Sequence, residues 1–142
     1  MTDAEFISAF ESGSLPNGSF HHRDHVRMAF LFLRRYPPLE ALQHFSASLA
    51  RFASANGKPQ LYNETITWAY VLLIRERIAR AGLEQSWDEF ADANPDLLNW
   101  KDGVLKNYYR EETLASELAK RVFLFPDKLP VNHSETLKTA GN

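Results

Sequence analysis

Two histidines three residues apart are the side chains in this sequence whose types and spacing most clearly suggest chemistry. His22 and His25 lie in the stretch FHHRDHVRMAFLFL, whose apolar spacing predicts an α-helix. Residues three apart are neighbours on a helix, so both imidazoles would stand on the face that carries Val26, Ala29 and Leu33. Imidazole binds transition metals and exchanges protons near neutral pH. The pair therefore predicts a metal site or an acid-base site.

Glu64, at the start of another predicted helix, is the candidate third member of this site. The run Trp68–Ile74 in that helix is apolar on every side, so the helix is predicted to be enclosed by others. Glu64 and Thr67 fall on the stripe that carries Val71 and Ile78, which would turn a carboxylate towards a dry interior. A buried carboxylate needs a partner. If the two helices are neighbours, their first turns would bring that carboxylate to the imidazoles.

Two imidazole nitrogens and one carboxylate oxygen form a ligand set for a divalent transition metal, namely zinc, iron or nickel, more than for magnesium or calcium. In this interpretation His22 and His25 are nitrogen ligands, and Glu64 is an oxygen ligand or the general base of a metal-dependent enzyme. Polar side chains around the ligands would orient them. The predicted surrounding pocket residues are Tyr62, Asn63, Thr67, Tyr36 and Arg75.

Two further interpretations of the same residues stay open. In a metal-free pocket a histidine would act as general base, Glu64 would orient it, and an arginine such as Arg75 would hold an anion. In a non-enzymatic interaction module, the histidines and the glutamate would form a satisfied buried polar network. The sequence thus predicts a protein that binds a metal or a small molecule, with a structural module as the alternative. It identifies neither a reaction nor a substrate.

The elements that must position these side chains are predicted to be helices throughout. No stretch shows the period-two alternation of a strand, and caps and breakers divide the chain into about six or seven helices of a single compact all-α bundle. Residues 1–128 are predicted to form one helical domain, and 129–142 a flexible tail. The predicted helices span, by number, 2–12, 19–36, 38–56, 64–82 and 86–94, with one or two short pieces in 95–109 and a final helix from 111 to 122.

The composition of the chain restricts which classes of partner and which cellular location are expected. The chain has 142 residues, a net charge of -2 and no cysteine, so disulfides and thiolate chemistry are excluded. Its arginines are scattered, which argues against nucleic acid as a partner. The longest apolar run is too short to span a membrane, and the N-terminus lacks the pattern of a secretory signal. A cytoplasmic location is expected, and the oligomeric state is not indicated.

Three stretches, FHHRDHVRMAFLFL, LYNETITWAYV and YYREETLASELAKRVFLFPDKLP, resemble a family of small bacterial proteins without an established activity. Its members share an aromatic-x-His-x-x-His element, a Tyr-x-Glu-Thr-Ile-Thr element and a terminal helix followed by Pro-Asp. The resemblance covers nearly the whole chain and implies an all-helical fold. It draws attention to His22, His25, Glu64, Thr65 and Thr67. A histidine often stands in that family where this chain has Asn63, so a family metal site would be altered here or would depend on Glu64.

Overall fold

The architecture is all-helical, as the sequence predicts. The computed structural model describes residues 2–16, 18, 20–82 and 84–128, and contains no strand among them. The predicted tail at 129–142 lies outside this described part. None of the helices in the described ranges is long and apolar enough to cross a membrane. In order, the α-helices are α1 (Asp3–Ser12), α2 (His22–Arg35), α3 (Pro38–Ala55), α4 (Glu64–Ala81), α5 (Trp87–Ala93), α6 (Pro95–Leu98), α7 (Glu111–Leu114) and α8 (Glu117–Arg121), with 3-10 helices at Pro59–Leu61 and Val104–Asn107.

Local capping chemistry sets several helix ends. Thr2 and Glu5 satisfy each other's backbone N–H groups at the start of α1, and Gly13 ends that helix with a left-handed φ of 75°. At the start of α2 the Asp24 carboxylate accepts a hydrogen bond of 3.0 Å from the backbone N–H of His21. These contacts satisfy terminal N–H groups that have no partner within the helix.

The core forms where α2, α3 and α4 pack against one another, with α1 across α2 and α3. Phe10 of α1 is 1% exposed and lies at its centre, with its ring 5.0 Å from Phe20, 5.8 Å from Phe45 and 6.0 Å from Phe32. Such aromatic packing removes a large apolar area from water. It ties α1 to α2, to α3 and to Phe20 just before α2.

Helix α4 is less completely enclosed than its apolar run predicts. Thr67, Val71 and Ile74 are buried, but Leu72 is 45% exposed. The prediction that every side of the run is covered is therefore wrong. Neighbouring helices cover one broad face of α4, and the side that carries Leu72 is left open to solvent.

The prediction of a single final helix from residue 111 to 122 is also wrong, because the structure contains two short helices there. α7 ends at Leu114, and the Ser116 hydroxyl caps the new helix α8 by accepting a backbone N–H at 3.1 Å. A serine side chain competes with the helical pattern in this way when it lies between two turns. Leu118 and Val122, whose spacing would turn them inward in one continuous helix, are both exposed.

Candidate ligand cavity

A cavity of about 440 Å³ lies between α2, α3 and α4. This volume is within the range that binds small organic molecules. Exposed Trp100 and Leu61 line it as well, so the cavity opens to solvent beside them. Its walls are mainly apolar, and the apolar lining side chains include Phe20, Val26, Ala29, Phe45, Leu49, Phe52, Ala53, Leu61, Ile66, Ile74 and Trp100.

His22 lies in the cavity wall with a defined orientation. One ring nitrogen, Nε2, is 2.8 Å from the carbonyl oxygen of Leu97. A carbonyl can only accept, so Nε2 carries the hydrogen, and Nδ1 of the neutral ring keeps its lone pair. The ring also contacts Tyr70 and Trp100, with centroid distances of 5.0 Å to each. The backbone of α6 therefore fixes the tautomer and the direction of this imidazole.

His25 lines the same cavity and is more deeply buried. Its ring packs on Phe20 at a centroid distance of 4.3 Å, and neither ring nitrogen has a hydrogen-bond partner among the described residues. Burial lowers the pKa of His25 to about 4; the nearby His22 adds to this shift and Asp24 opposes it. Burial also lowers the pKa of His22, against the opposing effect of the Leu97 hydrogen bond. Burial therefore favours the uncharged form of both imidazoles.

The unpaired polar atoms of the residues that line the cavity are not fully buried. Within the described ranges, the fully buried side-chain atoms that lack a hydrogen bond are Arg27 Nε and Ser46 Oγ. The unpaired nitrogens of His25 and the hydroxyl of Tyr70 are not among these fully buried atoms, and both residues line the cavity. Burial raises the pKa of Tyr70 to about 12, so this hydroxyl stays protonated and can donate.

Two predicted pocket residues, Asn63 and Thr67, line the cavity but direct their polar atoms to the backbone. The Asn63 amide oxygen caps α4 by accepting from Ile66 N–H at 2.9 Å, and its Nδ2 donates to Leu114 O at 2.8 Å. The Thr67 hydroxyl donates to Asn63 O at 2.7 Å. These side chains therefore hold the start of α4 in place.

Tyr62 lines the cavity as well, but its hydroxyl donates to the carboxylate of Glu64. Burial raises the pKa of Tyr62, and the hydrogen bond to Glu64 raises it further. The partner that the Glu64 carboxylate needs is thus a tyrosine two residues before it. No imidazole is required to satisfy this carboxylate.

The structure does not bring Glu64 to the histidines. Glu64 is half-buried in a separate groove between α3 and α4, beside Trp68 and Ala47, and it is absent from the cavity wall. The described part of the chain contains no group of three or more histidine, aspartate or glutamate side chains placed to hold a metal. The predicted centre of His22, His25 and Glu64 is therefore not formed here. Zinc, iron or nickel at the two histidines would need its other ligands from elsewhere.

Two other predicted pocket residues lie outside the cavity. Tyr36, at the far end of α2, stacks on His44 at a centroid distance of 4.3 Å. Arg75 is exposed and does not line the cavity. Sequence reasoning in turn missed Tyr70 and Trp100 as pocket residues. Tyr70 follows Thr67 by three positions, a spacing that could have placed it on the cavity side, whereas no sequence signal places Trp100 there.

Comparison with known proteins adds no assignment, because no family model, curated protein or solved structure matches the chain. The resemblance to the bacterial family therefore stays a prediction. The geometry of the cavity is therefore the basis for assigning a function.

Proposed function

We propose that this protein binds a small, mainly apolar molecule in the cavity between α2, α3 and α4. His22, His25 and Tyr70 contact the polar part of that molecule. One observation carries the proposal: a cavity of about 440 Å³ with apolar walls contains polar side chains whose hydrogen-bonding capacity is unused. Buried polar groups in proteins are normally paired, so unused capacity at a cavity wall favours a ligand over a purely structural role.

The apolar and the polar side chains of the cavity wall have different roles in binding. The apolar side chains provide affinity, because each Å² of apolar surface removed from water contributes roughly 25 cal/mol. The few polar groups orient the ligand, since a mismatched polar group in this wall would lose its hydrogen bonds to water. This division is common in sites for small molecules.

A second candidate function is an enzyme in which His22 acts as the general base. The observation that favours it is the hydrogen bond between Nε2 and Leu97 O, which leaves the Nδ1 lone pair of the neutral ring free to accept a proton. A divalent metal at His22 and His25, completed by a ligand molecule, is a separate, metal-dependent form of the candidate enzyme, in which the Nδ1 lone pair of His22 binds the metal and His22 is not the base. Metal analysis of untagged wild type and the His22→Ala/His25→Ala variant tests that form.

Naphthalene is a suitable probe for the cavity because it is rigid and has no polar group. We expect it to bind wild type with one molecule per chain in a calorimetric or ligand-detected NMR titration. Ile66→Trp, which fills the cavity from α4, should weaken binding at least about tenfold by removing the space for the probe. Unchanged binding in Ile66→Trp would contradict the proposal.

Two control variants place the binding site. Ala47→Trp adds the same indole in the separate groove beside Glu64, so it should leave naphthalene binding unchanged. Glu64→Gln should also bind naphthalene as wild type does, because Glu64 is paired with Tyr62 outside the cavity. Loss of binding in these variants, with binding kept in Ile66→Trp, would move the site to the groove.

A further inference from the structure

The charges around the cavity restrict which ligand it can hold. Among the described residues that line it, Lys58 is the one with a permanently charged side chain, and it is exposed. Asp and Glu are absent from that lining set. A carboxylate or ammonium group placed deep in the cavity would therefore lose its hydration without gaining an opposite charge. The deep part of this site favours an uncharged ligand.

The hydrogen-bonding groups restrict the ligand further. The carbonyl of Leu97 holds the hydrogen of His22 on Nε2, which leaves Nδ1 as an acceptor and not a donor. A ligand must bring a hydrogen to this nitrogen to satisfy it. The Tyr70 hydroxyl, in a ring 5.0 Å from that of His22, can donate to an oxygen on the same ligand. A hydroxyl group meets both needs, because it donates and accepts.

The rings in the wall indicate the shape of the apolar part. Phe20 contacts His25 at 4.3 Å and Phe52 at 5.1 Å, measured between centroids. In another part of the wall, the ring of His22 contacts that of Trp100 at a centroid distance of 5.0 Å. Aromatic rings gain most from offset or edge contacts with other rings. A flat aromatic ligand would extend both clusters, whereas a bulky aliphatic ligand would not.

We infer that the ligand is an uncharged aromatic molecule with a hydroxyl group, which donates its hydrogen to Nδ1 of His22 while the ring packs among the aromatic side chains of the wall. This inference rests on the proposed function and specifies the ligand class of the same site. The chemistry is that of phenols and aromatic alcohols. His25 and Tyr70 then contact the ligand oxygen or the ring edge.

Three probes that share the naphthalene ring system test the inference: naphthalene itself, 1-naphthol and 1-naphthoate. Each is titrated calorimetrically into the full chain at pH 7. We expect 1-naphthol to bind about tenfold more tightly than naphthalene, which corresponds to one net hydrogen bond. We expect 1-naphthoate to bind more weakly than naphthalene, since its carboxylate would be desolvated without a partner. A preference for 1-naphthoate would overturn the inference and assign recognition to Lys58.

The His22→Phe variant separates the acceptor from the cavity itself. Within this variant 1-naphthol should bind no more tightly than naphthalene, whatever the affinity for naphthalene itself, and circular dichroism checks that the variant is folded. His44→Phe changes an exposed histidine of α3 outside the cavity and should keep the preference. A preference that survives in His22→Phe overturns the inference.

The outcomes for the two proposals are distinguishable. Equal binding of naphthalene and 1-naphthol, both lost in Ile66→Trp, leaves the proposed function standing and overturns the hydroxyl inference. If none of the three probes binds wild type, both proposals are overturned.

Discussion

Two regions on either side of α4 contain buried polar side chains, and they differ in whether those groups are paired. On one side, Thr65 is fully buried, and its hydroxyl donates to Val122 O at 2.8 Å and accepts from Leu124 N–H at 3.1 Å. On the other side, the cavity wall leaves His22 Nδ1 and both nitrogens of His25 without partners in the described chain. Pairing thus separates polar groups that stabilise the fold from polar groups available to a ligand.

The paired side is a clamp that holds the segment 122–128. Tyr109 donates its hydroxyl to Leu124 O at 2.7 Å. The Asp127 carboxylate accepts from Arg110 N–H at 3.0 Å and from the Thr113 hydroxyl. These contacts attach a non-helical segment to α4 and α7 by side-chain hydrogen bonds. The Glu-Thr-Ile-Thr and Pro-Asp motifs are therefore accounted for in large part by the fold.

The largest expected effect comes from breaking the clamp. Thr65→Val leaves the carbonyl of Val122 and the N–H of Leu124, both part-buried, without their side-chain partner, and we expect the free energy of unfolding to fall by about 3 kcal/mol. Urea denaturation measures this change. Naphthalene affinity should stay close to that of wild type, because Thr65 does not line the cavity.

Thr67→Val is the matched control for this prediction. The Thr67 hydroxyl donates to Asn63 O, a carbonyl that already accepts the Thr67 backbone N–H at 3.0 Å. Its loss should cost less than about 1 kcal/mol, because no backbone group is left unsatisfied. Equal destabilisation by the two variants would remove the distinction between the clamp and the cavity.

A smaller effect on the free energy of unfolding should come from His25, in the cavity wall, when the pH is lowered. The pKa of His25 is lowered from 6.5 to about 4 in the folded chain, so the unfolded chain binds more protons between these values. Stability should therefore be full above about pH 6.5 and fall as the pH decreases. For this one group we expect a loss of about 2 kcal/mol between pH 7.5 and pH 5.

Urea denaturation of wild type and His25→Phe across this pH range isolates the contribution of His25. Phenylalanine does not titrate, so the variant should lose less stability than wild type as the pH decreases. The pKa values of Asp96 and Asp127 are also lowered, by Arg77 and by Thr113 respectively, and their contributions are lost mainly below the range of this experiment. Identical pH dependence in the two proteins would contradict burial of an uncharged His25.

Much of the fold could be predicted because local signals determine its helix ends. The Thr2 and Ser86 capping boxes, the Asn63 cap and the left-handed glycines Gly13 and Gly82 all lie at helix ends that the sequence predicts. Each is a contact among residues a few positions apart, so it can be read without knowledge of tertiary packing. The break at Ser116 was missed because a serine with apolar neighbours is compatible with a continuing helix.

The site could be predicted only in part. The spacing of His22 and His25 depends on one helix, whereas the position of Glu64 depends on how α3 packs against α4. Glu64 lies at the edge of its stripe, one turn before Trp68, and periodicity does not decide which neighbour receives an edge residue. The contacts of Trp100 depend likewise on the packing of the chain after α6. Contacts between residues that are far apart in the chain leave no local signal in a single sequence.

The most direct test of the central claim is an NMR titration of the histidine rings with 1-naphthol, observed through long-range proton-nitrogen correlations. Free wild type should show His22 with its hydrogen on Nε2, as the contact with Leu97 requires. Addition of the probe should shift Nδ1 of His22 and the ring of His25, and leave His44 unchanged. Saturable binding that leaves both cavity rings unchanged would contradict the account.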